Sequence, residues 1–211
     1  MTVLLMACSG VFTSKRQGVT LEKPPTIAVV PFFEFRASKK SQSLARCPLG
    51  GEYISVGEIA PEAQGVLTEI FCRDLKLKGY RIPDQEEIEG ALAKLDGSEL
   101  SPEILAQRIG ETFAVDLVLM GWIFRFQERI GTAWGASRPA ALAFIVHLFG
   151  VEEGTVLWQG RYDTSQDTPS ENPSQLFRSV KRAGKWETAK QIASGAVAEL
   201  LLSFPSVAVA E

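Results

Sequence analysis

Three residue types in this chain could do chemistry by virtue of where they stand. The first is a thiol. Leu5-Met6-Ala7-Cys8 sets an apolar residue, a tolerant position and a small residue before a cysteine, and Ser9 follows. That is the pattern of a bacterial lipobox, in which the cysteine sulfur takes a diacylglyceryl group and becomes the mature amino terminus. The second is an imidazole, the single His147. One histidine without a Cys-x-x-Cys or a second histidine makes a poor metal site. A nucleophile triad needs an orienting carboxylate and a nucleophile beside it, and no Gly-x-Ser-x-Gly is present. His147 is therefore expected to be hydrogen-bonded inside a sheet. The third is the remaining thiol pair, Cys47 and Cys72, which an oxidising compartment would allow to bridge. Glycines at 131 and 135 lack the Lys-Ser/Thr of a phosphate-binding loop, so no cofactor is expected.

The lipobox reading has consequences for the whole chain. Only seven residues precede Cys8, with no Lys or Arg, so residues 1–7 are expected to be the remnant of a longer signal peptide. Each buried acyl CH₂ contributes about 0.8 kcal/mol, so several chains make attachment effectively permanent. Ser9 rather than Asp after the cysteine matches the sorting pattern of the outer membrane. The expected location is the periplasmic face of that membrane, which removes most cytosolic enzyme classes. The net charge of −3 gives no general attraction to nucleic acid.

Two surface features could meet a partner. Trp134 stands in a glycine-flanked turn, and an exposed tryptophan is a frequent interface anchor. Arg178, Lys181, Arg182 and Lys185 form a basic cluster that could meet lipid head groups or acidic glycan.

These residues need elements to position them. Residues 8–25 are expected to be a lipidated, flexible tether, ended by Pro24-Pro25. Thr26–Phe33 is apolar throughout and bounded by prolines, as in a buried strand. Residues 36–57 read as a long polar loop. From 59 to 78, apolar residues recur on one helical face, with Cys72 off the stripe, and Gly79 closes the helix. Tyr80–Pro83 reads as a short strand. Asp84 begins a second helix and Ser101-Pro102 a third, by N-cap and first-turn chemistry. Asp116–Phe126, Ala140–Val151 and Thr155–Tyr162 read as strands, the last at a sheet edge. Asp163–Pro173 reads as a linker, and 186–204 as a final helix, with Trp158 and Trp186 in the core. The order β-α-β-α-α-β-β-β-α points to one α/β (α+β) domain over 26–204. It is a three-layer domain: a mixed sheet of about five strands with helices packed on it. Residues 205–211 form a tail.

This arrangement resembles a known group. Ile27-Ala28-Val29-Val30-Pro31-Phe32 is similar to the first strand of the CsgG/LpoB-like and TolB-amino-terminal-like envelope proteins. Gly79-Tyr80-Arg81-Ile82, Ala114–Gly121 and the Glu153–Trp158 turn resemble their later strands in the same order. Phe177-Arg178 and Arg182–Ala189 look like the tail of lipoproteins of this group. Ala114 departs from the resemblance, since the group often has glycine there. The 127–139 connection is also too short for the membrane-spanning hairpins of CsgG. The resemblance implies a non-enzymatic periplasmic protein that binds an envelope partner. The alternatives are an oligomeric export subunit similar to CsgG and, more distantly, an envelope-polymer hydrolase.

Overall fold

The computed structural model describes residues 11–15, 25–35, 44–95, 100–165 and 186–205. Its centre is β9 (Ala141–Gly150), buried along its whole length. β6 (Leu117–Gln127) and β10 (Thr155–Ser165) flank it antiparallel. β2 (Ile27–Val29) lies parallel to β6, as does the short β3 (Phe33–Glu34). β1 (Val11–Lys15) closes the opposite edge against β10. The sheet order is therefore β1-β10-β9-β6-β2, with β3 beside β6.

Alternation along the strands sends residues to two separate cores. Ile27, Val29, Leu117, Leu119, Phe144 and Val146 face one side, where α1 (Ala63–Leu77) and α4 (Ala189–Leu200) cover them. Ala28, Val30, Val118, Met120 and Ile145 face the other, beneath α2 (Gln85–Lys94) and α3 (Pro102–Phe113). The domain is thus a mixed α+β sandwich of three layers, as its element order implies. Continuous apolar runs in β6 and β9 follow from burial on both faces.

The helix signals work through local hydrogen bonds. Asp84 accepts from the Glu86 amide, and Ser101 accepts from Ile104 with Pro102 in the first turn. Thr188 and Gln191 make a full capping box at the start of α4, a pair the sequence reading passed over. Gly79, at φ +90°, takes the left-handed position after α1. Ala114 takes the same role after α3, at φ 48° and ψ 48°, where a Cβ is strained. The departure at 114 is therefore a local cost. Ala114→Gly is expected to raise stability by about 1 kcal/mol in a urea titration.

Five expectations change. Residues 11–15 belong to the sheet, not to the tether. β10 is consequently not an edge strand, and it continues through Asp163 to Ser165, into the segment read as linker. Within the loop read at 36–57, β4 (Leu44–Arg46) and β5 (Tyr53–Ser55) form a hairpin whose Ala45, Cys47 and Ile54 are buried. The strand at 80–83 shrinks to one parallel bridge, Thr26 to Arg81. Cys72 is buried in the core although it lies off the apolar stripe. α1 packs against both the sheet and α4, which widens its buried arc to include Thr68 and Cys72.

Candidate functional site

The thiols are settled by topology. Cys47 is buried with the α2–α3 layer and Cys72 with the α1–α4 layer. Both are free, so the bridge that an oxidising compartment would allow is not formed; the sheet stands between the two cores. Burial pushes the Cys72 thiol up to about 11 and raises that of Cys47. Both stay protonated near neutrality and are poor nucleophiles.

His147 is 1% exposed, on the α2–α3 side of β9 between the rings of Trp122 and Phe149. Burial lowers its pKa to about 4, against smaller upward pulls from Gln159 and Glu103. Gln159 is its cross-strand neighbour on β10, yet neither ring nitrogen makes a hydrogen bond of good geometry. The ring is a neutral, desolvated group inside the sheet, with Gln159 the side chain placed to hydrogen-bond it. Among the described residues no cluster of His, Cys, Asp and Glu could hold a metal ion.

A cleft of about 500 Å³ opens between α1 and α2, lined by Thr68, Cys72 and Gln85 among others. Its rim is mixed in charge, with Glu69, Arg73 and Lys76 on α1 and Glu89 on α2. The Thr68 hydroxyl is committed, donating to the Gln64 carbonyl at 2.8 Å and accepting from the Phe32 amide at 3.3 Å. Nothing in the cleft is arranged as a nucleophile with a base.

The most constructed feature lies at the end of the sheet where β6 and β10 finish. Asp163 accepts from the Arg125 guanidinium at 2.9 Å, from Arg161 at 3.3 Å, and from the Ser55 hydroxyl and amide at 3.0 and 3.2 Å. Arg125 also donates to the Thr164 carbonyl and Arg161 to the Tyr53 carbonyl. The Arg125 and Asp163 side chains are only 16% and 15% exposed. Gly57 leaves room for Arg125 to cross, since a Cβ there would stand 2.7 Å from its Cδ. The network clamps the β4–β5 hairpin onto the sheet. The hairpin's inner residues are buried, while Leu44, Arg46 and Tyr53 face outward. Leu44 and Tyr53 are 53% and 63% exposed, and Arg46 pairs directly with Tyr53 across the strands. A tyrosine, an arginine and a leucine on a rigid platform have the composition of a protein-binding patch.

The second projection is the hairpin of β7 (Ile130–Gly131) and β8 (Ala136–Arg138). It carries Trp134, 71% exposed, and Ile130, 52% exposed. Trp134 is thus turned outward and not folded back onto the sheet. Trp186 is only partly buried, and Trp158 is in the core. Cys8, Arg178, Lys181, Arg182 and Lys185 lie outside the described residues. The Arg125–Asp163–Ser55 clamp had no signal in the sequence beyond a lone acidic residue near a strand end.

No protein-family profile matches the chain, and no curated protein matches it in sequence. Among solved structures, PelC from Paraburkholderia phytofirmans, a dodecamer, superposes with a TM-score of 0.53 at 14% identity, over 93% of this chain and 99% of its own. Lipoprotein GNA1162 from Neisseria meningitidis gives 0.44 at 14% identity, over 76% and 97%. The C-terminal domain of LpoB from Salmonella enterica gives 0.40 at 18% identity, over 71% and 87%. The last two likenesses are too distant to rest an argument on, and the first establishes a shared fold: the chain is built like the PelC subunit.

Proposed function

We propose that this protein is a lipid-anchored envelope lipoprotein at the periplasmic face of the outer membrane. It is non-enzymatic and binds a partner protein through the outer face of the β4–β5 hairpin. The observation that carries the partner-binding part is the clamp. Four hydrogen bonds to one partly buried carboxylate hold Tyr53, Arg46 and Leu44 on a fixed platform. Preorganisation of this kind lowers the ordering cost of association. The lipobox tetrad supports the anchor, and the fold shared with PelC is compatible with an envelope role.

The test is a pull-down from detergent-solubilised envelope with the full-length protein, in parallel with Tyr53→Ala and Arg46→Glu. Both side chains are exposed, so both variants fold. A partner retained by the wild type is expected to bind either variant at least about ten-fold more weakly, the size of a hot-spot loss. Equal capture by all three proteins would remove the hairpin from the interface.

A second reading is an oligomeric subunit of an export apparatus similar to CsgG, favoured by the dodecameric state of PelC. It requires an assembly of many chains in size-exclusion chromatography with light scattering, and a single-chain mass excludes it.

A further inference from the structure

The lipid-anchor reading leaves open how the domain sits on the bilayer. Building on that reading, we propose that the tip of the β7–β8 hairpin, Ile130 and Trp134, lies in the bilayer surface beside the lipids on Cys8. The end of the sheet that carries this hairpin is then the membrane-facing end.

The register of the sheet fixes the geometry. β1 runs antiparallel to β10, with Val11 opposite Tyr162 and Lys15 opposite Trp158. Its amino-terminal end therefore points towards Ser165. Ser165 pairs with Ala141, and Ala141 with Gln127, so the ends of β10 and β6 and the start of β9 form one row. From Tyr162 to that row is three strand residues, about 10 Å. From Val11 back to Cys8 is also three residues, a reach of at most about 10 Å. A lipidated Cys8 is therefore within about 10 Å of Val11 and at most about 20 Å from this row, reaching it when the segment is extended, and no long tether separates the domain from the membrane.

What projects past the row is the 128–140 connection that bears β7 and β8. Its two large apolar side chains are turned to solvent. Its backbone is tied down. The Thr132 amide donates to the Gly135 carbonyl at 2.9 Å, and the Thr132 hydroxyl accepts from the Trp134 and Gly135 amides. The Trp186 amide donates to the Ala133 carbonyl at 2.7 Å, and the Arg129 guanidinium donates to the Trp186 carbonyl. Residues 130–138 contain no carboxylate, and the exposed Glu58 at the hairpin base is paired with Arg138 at 2.8 Å, so no unpaired carboxylate of the tip itself faces anionic head groups. An indole beside an aliphatic side chain suits the interfacial layer of a bilayer, where an apolar ring with a polar N–H is at its most favourable. A second protein could also cover an exposed tryptophan. The bilayer is favoured because the acyl chains fix the membrane at this end whatever else binds.

The experiment uses the full-length protein purified from envelope and reconstituted in vesicles of phosphatidylethanolamine and phosphatidylglycerol. The vesicle lipids carry bromine on the acyl chain close to the head group. Tryptophan emission is compared between wild type and Trp134→Phe; Trp122 and Trp158, 8% and 1% exposed, and the partly buried Trp186 are present in both and supply the background. Flotation with the vesicles and the mass of the Cys8 peptide are measured on the same samples. The expected result is quenching in the wild type that falls to the level of that background in Trp134→Phe. A protein that is acylated and floats, but shows no Trp134-dependent quenching, overturns the proposal and leaves the anchor intact; that is also the outcome if a protein partner covers Trp134. An unmodified Cys8 peptide in a protein that does not float overturns the anchor and this orientation together.

Discussion

Asp163→Ala lowers the unfolding free energy by about 3 kcal/mol, a fall in Tm of about 10 °C for a domain of this size. The reason is the asymmetry between making and breaking a partly buried ion pair. With Asp163 present, Arg125 and Arg161 share its two oxygens while Ser55 donates to one of them. With alanine there, two guanidinium groups, 16% and 21% exposed, keep their desolvation cost without the compensating charge. Ser55 loses an acceptor for both its amide and its hydroxyl. The damage is expected to concentrate in the β4–β5 hairpin. Its amides should exchange with solvent faster than those of β9, and the buried Cys47 thiol should become accessible to a thiol reagent while Cys72 stays protected. Thermal melts followed by circular dichroism, with thiol labelling of each cysteine, check both parts. A Tm within about 2 °C of wild type, with Cys47 still protected, would show that the hairpin is held by its apolar contacts alone.

The second large effect is on acid stability. The His147 pKa falls from an ordinary 6.5 to about 4 in the folded protein, chiefly through burial. The unfolded chain therefore takes up a proton at a higher pH than the folded one. The neutral ring's contribution is fully present above pH 6.5. It is lost as the pH falls from about 6.5 to about 4, at up to about 1.4 kcal/mol per pH unit and about 3 kcal/mol in all. His147→Leu should remove this component. The leucine leaves no ring nitrogens desolvated without hydrogen bonds, so at pH 7 the variant should be as stable as wild type or more so. Urea titrations of both proteins at pH 7, 6, 5 and 4.5 test the difference. Parallel pH profiles would mean that His147 is not the group that makes the fold acid-sensitive.

How much of this could be read from the chain divides along physical lines. β6 and β9 are apolar along most of their length because both faces are buried, and a run of Leu117–Phe124 or Ala141–Val146 announces that directly. Ser101 with Pro102, and Gly79, act through hydrogen bonds and φ angles within a few residues, so their meaning is local. β1 carries no such mark. Val11–Lys15 is a mixed, short segment that becomes a strand because β10 offers it an edge. Leu44–Arg46 and Tyr53–Ser55 expose more than they bury, and their fixing depends on Asp163, 108 residues after Ser55 in the chain. Trp134 stands in a glycine-flanked turn, which is as compatible with a return onto the sheet as with an outward placement. The relation between that tip and the start of β1 came only from the register of the closed sheet.

The central claim is that the chain works from a membrane through a lipid on Cys8. The most direct measurement is mass spectrometry of the mature amino terminus, on protein recovered from the envelope of its native host. The account predicts a chain that begins at Cys8, without residues 1–7, and carries the added mass of acyl chains. A chain that retains Met1 and an unmodified Cys8, recovered from the soluble fraction, would contradict it.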